Sequence, residues 1–196
     1  MCLLNKEQVV HHDDKGAIVY GVAAKRGKRE HRLGKRGDCS NDTELKRGDV
    51  VLFDIGGRHR NYCSDMTRTF FWGEPDKETA RIYDIVRRAN EAAEALIAPG
   101  VRMCDLDRAA RDVIEDAGYG EYFTHRLGHS IGLQDHEPGD VSLVNEQVVE
   151  LGMTFSIEPG IYLPGRTGIR IEDLVLVTEN GVEILNAYPH DPVRLD

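Results

Sequence analysis

Four carboxylates and one imidazole have the residue types and settings of a metal site. Asp54, Asp65, Glu158, Glu172 and His129 each sit on or beside a strand-like run, flanked by apolar residues or glycine. Asp54 ends the apolar run Val50-Val51-Leu52-Phe53, and Asp65 lies in the β-prone run 62–71, YCSDMTRTFF. Pairing of these two runs brings two carboxylates together. Buried and bare they repel, and one takes up a proton at some cost; a bound cation removes the conflict. Glu172 stands between Ile171 and, past Asp173, Leu174-Val175-Leu176, apolar company in which a carboxylate is rarely left unpaired. A single strand aspartate more often forms a salt bridge or caps a turn. The set of five changes that balance. Its oxygen-rich, moderately hard donors suit Mn2+, and also Co2+, Fe2+ or Zn2+. Four negative charges balance two divalent ions, which together can bridge a hydroxide and clamp both it and a developing oxyanion.

The elements that must position these residues follow in order. The run ending on Asp54 reads as a buried strand entering a turn at Gly56-Gly57, and the polar link GGRHRN joins it to its partner as a hairpin. Ile82, Ile85, Val86, Ala89, Ala93 and Leu96 recur at three-to-four spacing, a helix stopped by Pro99-Gly100. Leu106, Ala109, Ala110, Val113 and Ile114 form a second helix that ends at Gly118. Both are polar on the opposite face, as helices lying on a sheet are. From residue 125 the chain is strands and tight loops: GHSIGL, GMTFSIEPGIYL, GIRIEDLVLVTENG and VEILN. Asn180-Gly181 between two apolar runs marks a hairpin. Strands, then helices, then strands favour an α+β fold with an antiparallel sheet over a βαβ repeat. No solenoid-type repeat or low-complexity tract is present.

A chain of 196 residues suits one domain with a real core. Its character changes near residue 40, before which KRGKREHRLGKRGD offers only glycine and charge. The expected division is a basic segment over 1–40 and a globular unit over 41–196. The net charge of -9 follows that division, since residues 1–38 carry nine Lys/Arg against five Asp/Glu while the remainder carries 16 against 29. An acidic body repels phosphate, which argues against nucleic acid as a partner; the cluster from Lys25 to Arg36 reads as a solvated terminal segment. Apolar stretches are too short for a membrane span, and MCLLNKEQVVHH lacks the features of a signal peptide. Cys2, Cys39, Cys63 and Cys104 are scattered without a CxxC pair, so reduced thiols and a cytoplasmic location are expected.

DIGG followed by SDMTRTF, then HRLGHSIGLQDHEPG, GMTFSIEPGIYLPG and GIRIEDLVLVTENGVEIL together resemble the motifs of the pita-bread metallopeptidases, family M24. That family includes methionine aminopeptidases, aminopeptidase P and Xaa-Pro dipeptidases (prolidases). The resemblance covers about residues 42–188. It implies a pita-bread α+β fold, a curved antiparallel sheet covered by helices, with its first half truncated. It also implies two divalent metal ions, Mn2+ before Co2+, Fe2+ or Zn2+. Asp54 matches the first ligand aspartate and Asp65, eleven positions later, the bridging one. His129 matches the single histidine ligand, Glu158 a ligand that also shuttles a proton, and Glu172 the bridging glutamate. His125 resembles a histidine that contacts substrate on the leaving side, and His136 one that steadies the scissile carbonyl. The implied reaction is attack of activated hydroxide on a peptide carbonyl, with Glu158 relaying the proton to the leaving nitrogen.

IEPGIYLPG with GIRIED resembles the prolidase and aminopeptidase P branch. Strand alternation puts Arg170 on the face of Glu172, where it can orient the ligand carboxylates. The implied substrates are dipeptides or short peptides with proline second; a homodimer is the assembly the family suggests. Two departures accompany these matches. The separate N-terminal domain of the branch is not expected in these 196 residues, and Gly37 stands where the family carries a histidine seventeen positions ahead of the first aspartate, His31 being out of register. Metal binding is therefore expected to survive better than turnover. A methionine aminopeptidase-like hydrolase and a catalytically weakened peptide-binding protein are the alternative readings.

Overall fold

The computed structural model describes the backbone of residues 11–12 and 18–25 and the whole of residues 45–195. Gly37 and His31, the positions compared with the family's leading histidine, lie outside the described residues. Strands β1 (His11–His12), β2 (Ile18–Lys25), β3 (Val50–His59) and β4 (Tyr62–Trp72) form one antiparallel succession. The last strand of the chain, β12 (Val193–Leu195), closes this five-stranded sheet by pairing parallel to β4. β2 pairs with β3 from Ile18 opposite Arg58 to Lys25 opposite Val51, so a strand from before residue 41 shares the sheet of the 41–196 unit.

The expected hairpin forms, but its turn lies elsewhere. β3 runs through Gly56-Gly57 to His59, and the chain reverses at Arg60-Asn61, with φ of 48° and 73°. Two successive left-handed residues match the twist of the flanking strands. The glycines serve close approach instead: Gly56 pairs with Asp65, and a Cβ there would stand 3.2 Å from the Ser64 carbonyl oxygen.

Helix α1 (Lys77–Glu94) opens on Asp76, whose carboxylate accepts from the Thr79 backbone N–H at 2.8 Å. It buries Ile82, Ile85, Val86, Ala89 and Ala93 as expected, but ends before Leu96. The N–H groups of Leu96 and Ile97 bond to the carbonyls of Ala93 and Glu94, a tighter turn that rotates the register. Leu96 is thereby 46% exposed, and Ile97 takes its place in the core. Helix α2 (Met103–Asp116) buries Leu106, Ala110 and Ile114 and gives way to Gly118 at φ 86°.

The remaining strands are β5 (Gly128–His129), β6 (Asp140–Val141), β7 (Thr154–Ile157), β8 (Gly160–Leu163), β9 (Thr167–Arg170), β10 (Asp173–Thr178) and β11 (Gly181–Ile184). β10 sits between β11 and β7, while β5–β6 and β8–β9 are two-stranded pairs. The β10–β11 hairpin forms as expected around Glu179-Asn180, with Gly181 the first residue of β11 rather than part of the turn. Ile82, Val86, Leu106, Ile114, Phe155, Ile157, Ile169 and Val175 meet in one core between helices and strands. Each such side chain contributes about 1.5–3 kcal/mol by leaving water. The architecture is α+β, strands on either side in sequence of a helix pair. No described helix is long and apolar enough to cross a membrane.

Candidate metal centre

The β3–β4 register sets the first half of the site. Asp54 lies opposite Thr67 and Asp65 opposite Gly56. Opposed residues share a face, as do residues two apart on one strand, so Asp54, Asp65, Thr67 and Thr69 line one face. A glycine across from Asp65 leaves that face open. The second half arrives from β9 and the start of β10. Glu172 donates its backbone N–H to the Thr67 carbonyl at 3.0 Å, and Thr67 Oγ1 donates to Glu172 Oε2 at 2.5 Å. Thr69 Oγ1 donates to the Arg170 carbonyl at 2.9 Å.

His129 and Glu158 come from a third direction and are fixed to each other. The His129 backbone N–H donates to Ser156 Oγ at 3.0 Å, and that hydroxyl donates to Glu158 Oε1 at 3.2 Å. A Cβ on Gly128 would fall 1.8 Å from the Ser156 carbonyl oxygen, so only glycine lets β5 lie this close to β7. The segment leading into β5 is anchored by α2. Buried Asp107 accepts from the Leu127 N–H at 3.0 Å and pairs with Arg111 at 2.8 Å. Arg111 also donates to the carbonyls of Phe123 and His125, both at 3.0 Å.

These supports gather four of the expected ligands. His129 Nε2 stands 3.7 Å from Asp65 Oδ2, 3.6 Å from Glu158 Oε1 and 4.0 Å from Glu172 Oε1. His129 Nδ1 lies 3.2 Å from the Ser130 carbonyl and donates its proton there, which leaves the Nε2 lone pair facing the carboxylates. Burial, and then neighbouring His136, pushes the His129 pKa down to about 4, so the ring is neutral. The contacts are therefore not ion pairs. Donors to one ion, each about 2.0–2.2 Å from it, can stand at most about 4.4 Å apart. All three separations fall within that limit, and the donor atoms of Asp65, His129 and Glu172 lie within 4.8 Å of one another.

The electrostatics fit a cation as well. Burial, and then the charges of Asp54, Asp135 and Glu158, pushes Asp65 up to about 8. Burial, and then Glu158 and Asp65, holds Glu172 well above the usual carboxylate range. Glu158 is pushed up to about 7 by burial, against the opposing pull of Arg170. Crowded buried carboxylates hold protons until positive charge displaces them, and a divalent ion is the charge this donor set takes.

Asp54 is not among the groups facing His129, although it lies near enough for its charge to raise Asp65 and Glu158. Its carboxylate forms an ion pair with Arg170 Nη2. Arg170 faces the ligands as strand alternation implied, with Nε 3.0 Å from Thr67 Oγ1 and 3.9 Å from Glu158 Oε2. His136 lies at the rim, its side chain 59% exposed and its ring stacked on His129 with centroids 4.0 Å apart. His125 is half-buried and meets the site through Tyr162, whose hydroxyl is 3.0 Å from His125 Nε2. Burial pushes His125 down to about 4. Thr67, Ser156 and Tyr162 are site residues that the sequence reading passed over. Thr67 had a signal, since Asp65, Thr67 and Thr69 alternate as one polar face; Ser156 and Tyr162 had only their nearness to Glu158.

The model of metallopeptidase family M24 matches residues 14–179. An uncharacterized peptidase of Staphylococcus saprophyticus is 46% identical over 190 residues, 94% of this chain and 54% of that protein. Dipeptidase PepE of Mycobacterium ulcerans superposes with a TM-score of 0.83 at 43% identity, covering 90% of this chain and 47% of its own. An Xaa-Pro dipeptidase of Bacillus anthracis gives 0.82 at 37%, covering 89% and 48%. The chain spans about half the length of the curated relatives it matches. The pita-bread fold implied by the sequence motifs is the fold these structures share with it.

Proposed function

The chain belongs to metallopeptidase family M24, and from that premise we propose that it hydrolyses Xaa-Pro bonds at the N-terminus of dipeptides or short peptides. The observation that carries the proposal is a neutral His129 directing Nε2 at three buried carboxylates, with Arg170 beside them. Likeness to a solved Xaa-Pro dipeptidase supports the choice of substrate.

Asp54, Asp65, His129, Glu158 and Glu172 are the residues that would hold two divalent ions, with Mn2+ the best match to an oxygen-rich donor set. Such ions supply an acidified water at neutral pH and polarise a peptide carbonyl. The chain's own groups do the rest. Ser130 fixes the His129 tautomer, and Thr67 with Arg170 orients Glu172 and Asp54. Glu158, held by Ser156, is the carboxylate placed to take a proton and pass it on. That proton matters for proline substrates, whose leaving nitrogen is a tertiary amide with no hydrogen of its own. His136 stands at the rim, where its ring N–H can donate to the developing oxyanion. His125, oriented by Tyr162, faces the leaving side.

The test is hydrolysis of an Xaa-Pro dipeptide and an Xaa-Pro-Xaa tripeptide by the purified chain, after dialysis against Mn2+ and after chelation. Metal-dependent cleavage of the dipeptide alone supports a dipeptidase, and cleavage of the tripeptide an aminopeptidase. Cleavage confined to peptides that begin with methionine and lack proline overturns the substrate assignment. Retained metal with no hydrolysis overturns catalysis in favour of peptide binding, and no retained metal overturns the site itself.

A further inference from the structure

Asp65 and Glu172 belong to different sheets. Asp65 lies on β4, whereas Glu172 immediately precedes β10, which pairs with β7 and β11. Among the described residues, one isolated bridge, Thr67 with Glu172, joins the two backbones here. A ladder of many bonds fixes spacing by redundancy, and a single bridge does not. The hydroxyls of Thr67 and Thr69 reinforce it on the β9 side, and a further tie is needed on the β10 side.

The C-terminal segment supplies it. Asn186, two residues beyond β11, donates from Nδ2 to the Asp65 carbonyl at 3.0 Å and accepts at Oδ1 from the Leu174 N–H. One planar amide therefore spans the two sheets, touching one strand at Asp65 itself and the other two residues past Glu172. Arg68 spans the same junction beside it. That buried guanidinium donates to the Glu172 carbonyl and to Asp173 Oδ1, both at 2.7 Å, and to the Tyr188 carbonyl at 2.8 Å. His190 reaches Asp173 Oδ2 at 2.6 Å. Asn186 lies beyond residue 179, where the family match ends.

We propose that Asn186 is a positioning residue whose side-chain amide sets the separation of Asp65 and Glu172, and so the affinity of the site for divalent metal. This inference rests on the metal-site reading above. Asparagine suits the place because it offers a donor and an acceptor in one rigid plane. An aspartate keeps the acceptor toward Leu174 but turns a lone pair toward the Asp65 carbonyl, pushing the strands apart at the ligand. Partners that touch a ligating group govern metal affinity by about 10–100-fold; Asn186 holds the Asp65 backbone rather than its carboxylate and belongs at the lower end of that range.

The experiment titrates Mn2+ into wild type, Asn186→Asp, Asn186→Ala and Val177→Ala, reading free Mn2+ by electron paramagnetic resonance and the Co2+ form by visible absorption. Val177 is buried on β10 away from the junction, so its truncation lowers stability without touching the amide. Thermal melts followed by circular dichroism confine the comparison to folded protein. Both Asn186 variants are expected to bind Mn2+ about 10-fold more weakly, with an altered Co2+ spectrum, while Val177→Ala keeps wild-type affinity. Wild-type affinity and spectrum in Asn186→Asp overturn the proposal, as does equal weakening in Val177→Ala. Wild-type protein that binds no metal overturns the metal-site reading and this inference with it.

Discussion

Thr67 and Glu172, 105 positions apart, are joined twice, once by backbone N–H to carbonyl at 3.0 Å and once by hydroxyl to carboxylate at 2.5 Å. The same hydroxyl oxygen accepts from Arg170 Nε at 3.0 Å and Nη2 at 2.9 Å. One threonine thus orients a proposed bridging ligand and the arginine that pairs with another.

Thr67→Val keeps the shape of that side chain and removes both roles. A buried carboxylate loses a donor and a buried guanidinium an acceptor, at a cost of about 1–3 kcal/mol. Metal affinity is expected to fall about 10–100-fold. Calorimetric titration with Mn2+ measures it, and an unchanged affinity refutes the role.

Gly128→Ala places a methyl where the Ser156 carbonyl oxygen now stands, 1.8 Å away. Backbone, not a movable side chain, would have to yield. A loss of more than about 3 kcal/mol is expected, at the far end of overpacking costs. A thermal melt matching wild type would disprove the close packing of β5 on β7.

Stability of the metal-free protein should fall as pH rises from about 6.5 to about 8. Asp65, ordinarily near 3.8, is pushed up to about 8, and Glu158 from 4.5 to about 7. The fold thus holds protons that the unfolded chain has already released, an advantage lost as pH climbs through the folded values. At pH 6.5 the unfolded chain still half-protonates His125 and His129 while the folded rings are neutral, so these two oppose the trend at its start and cease to do so by about pH 7.5. Saturating Mn2+ displaces the site protons and should flatten the slope. A residue of it persists, because burial also pushes Glu94, outside the cluster, up to about 7. Melting temperatures with chelator and with Mn2+ across this range decide it.

His136→Ala separates catalysis from metal retention. The ring is largely exposed, so stability should change by no more than about 0.5 kcal/mol. Turnover of an Xaa-Pro dipeptide is expected to drop about 100-fold or more as an oxyanion donor is lost, with metal content unchanged. Elemental analysis beside steady-state rates gives the answer; unaltered turnover removes His136 from the reaction.

Much of this site could be read from the chain because its ligands sit in short contiguous motifs on strands. Asp54 and Asp65 were placed on one hairpin from apolar runs alone, and pairing confirmed a shared face. The turn was misplaced because Gly56-Gly57 carries the composition of a reversal while serving close approach to β4. Leu96 fits a helical period that ends one turn too soon for it. Arg68 and Asn186 gave no warning, since each has a partner more than a hundred positions away that only folding introduces. Nor does spacing reveal that Asp54 pairs with Arg170.

The donors lie on or beside strands of separate sheets, brought together across most of the described chain. Contacts of such long sequence separation carry their closure entropy before returning any energy, and they assemble late. Interactions absent from the folding transition state lengthen the life of the native state without hastening its formation. An ion held among Asp65, His129 and Glu172 would therefore act as a latch fastened last, setting how long the fold endures and not how quickly it is reached.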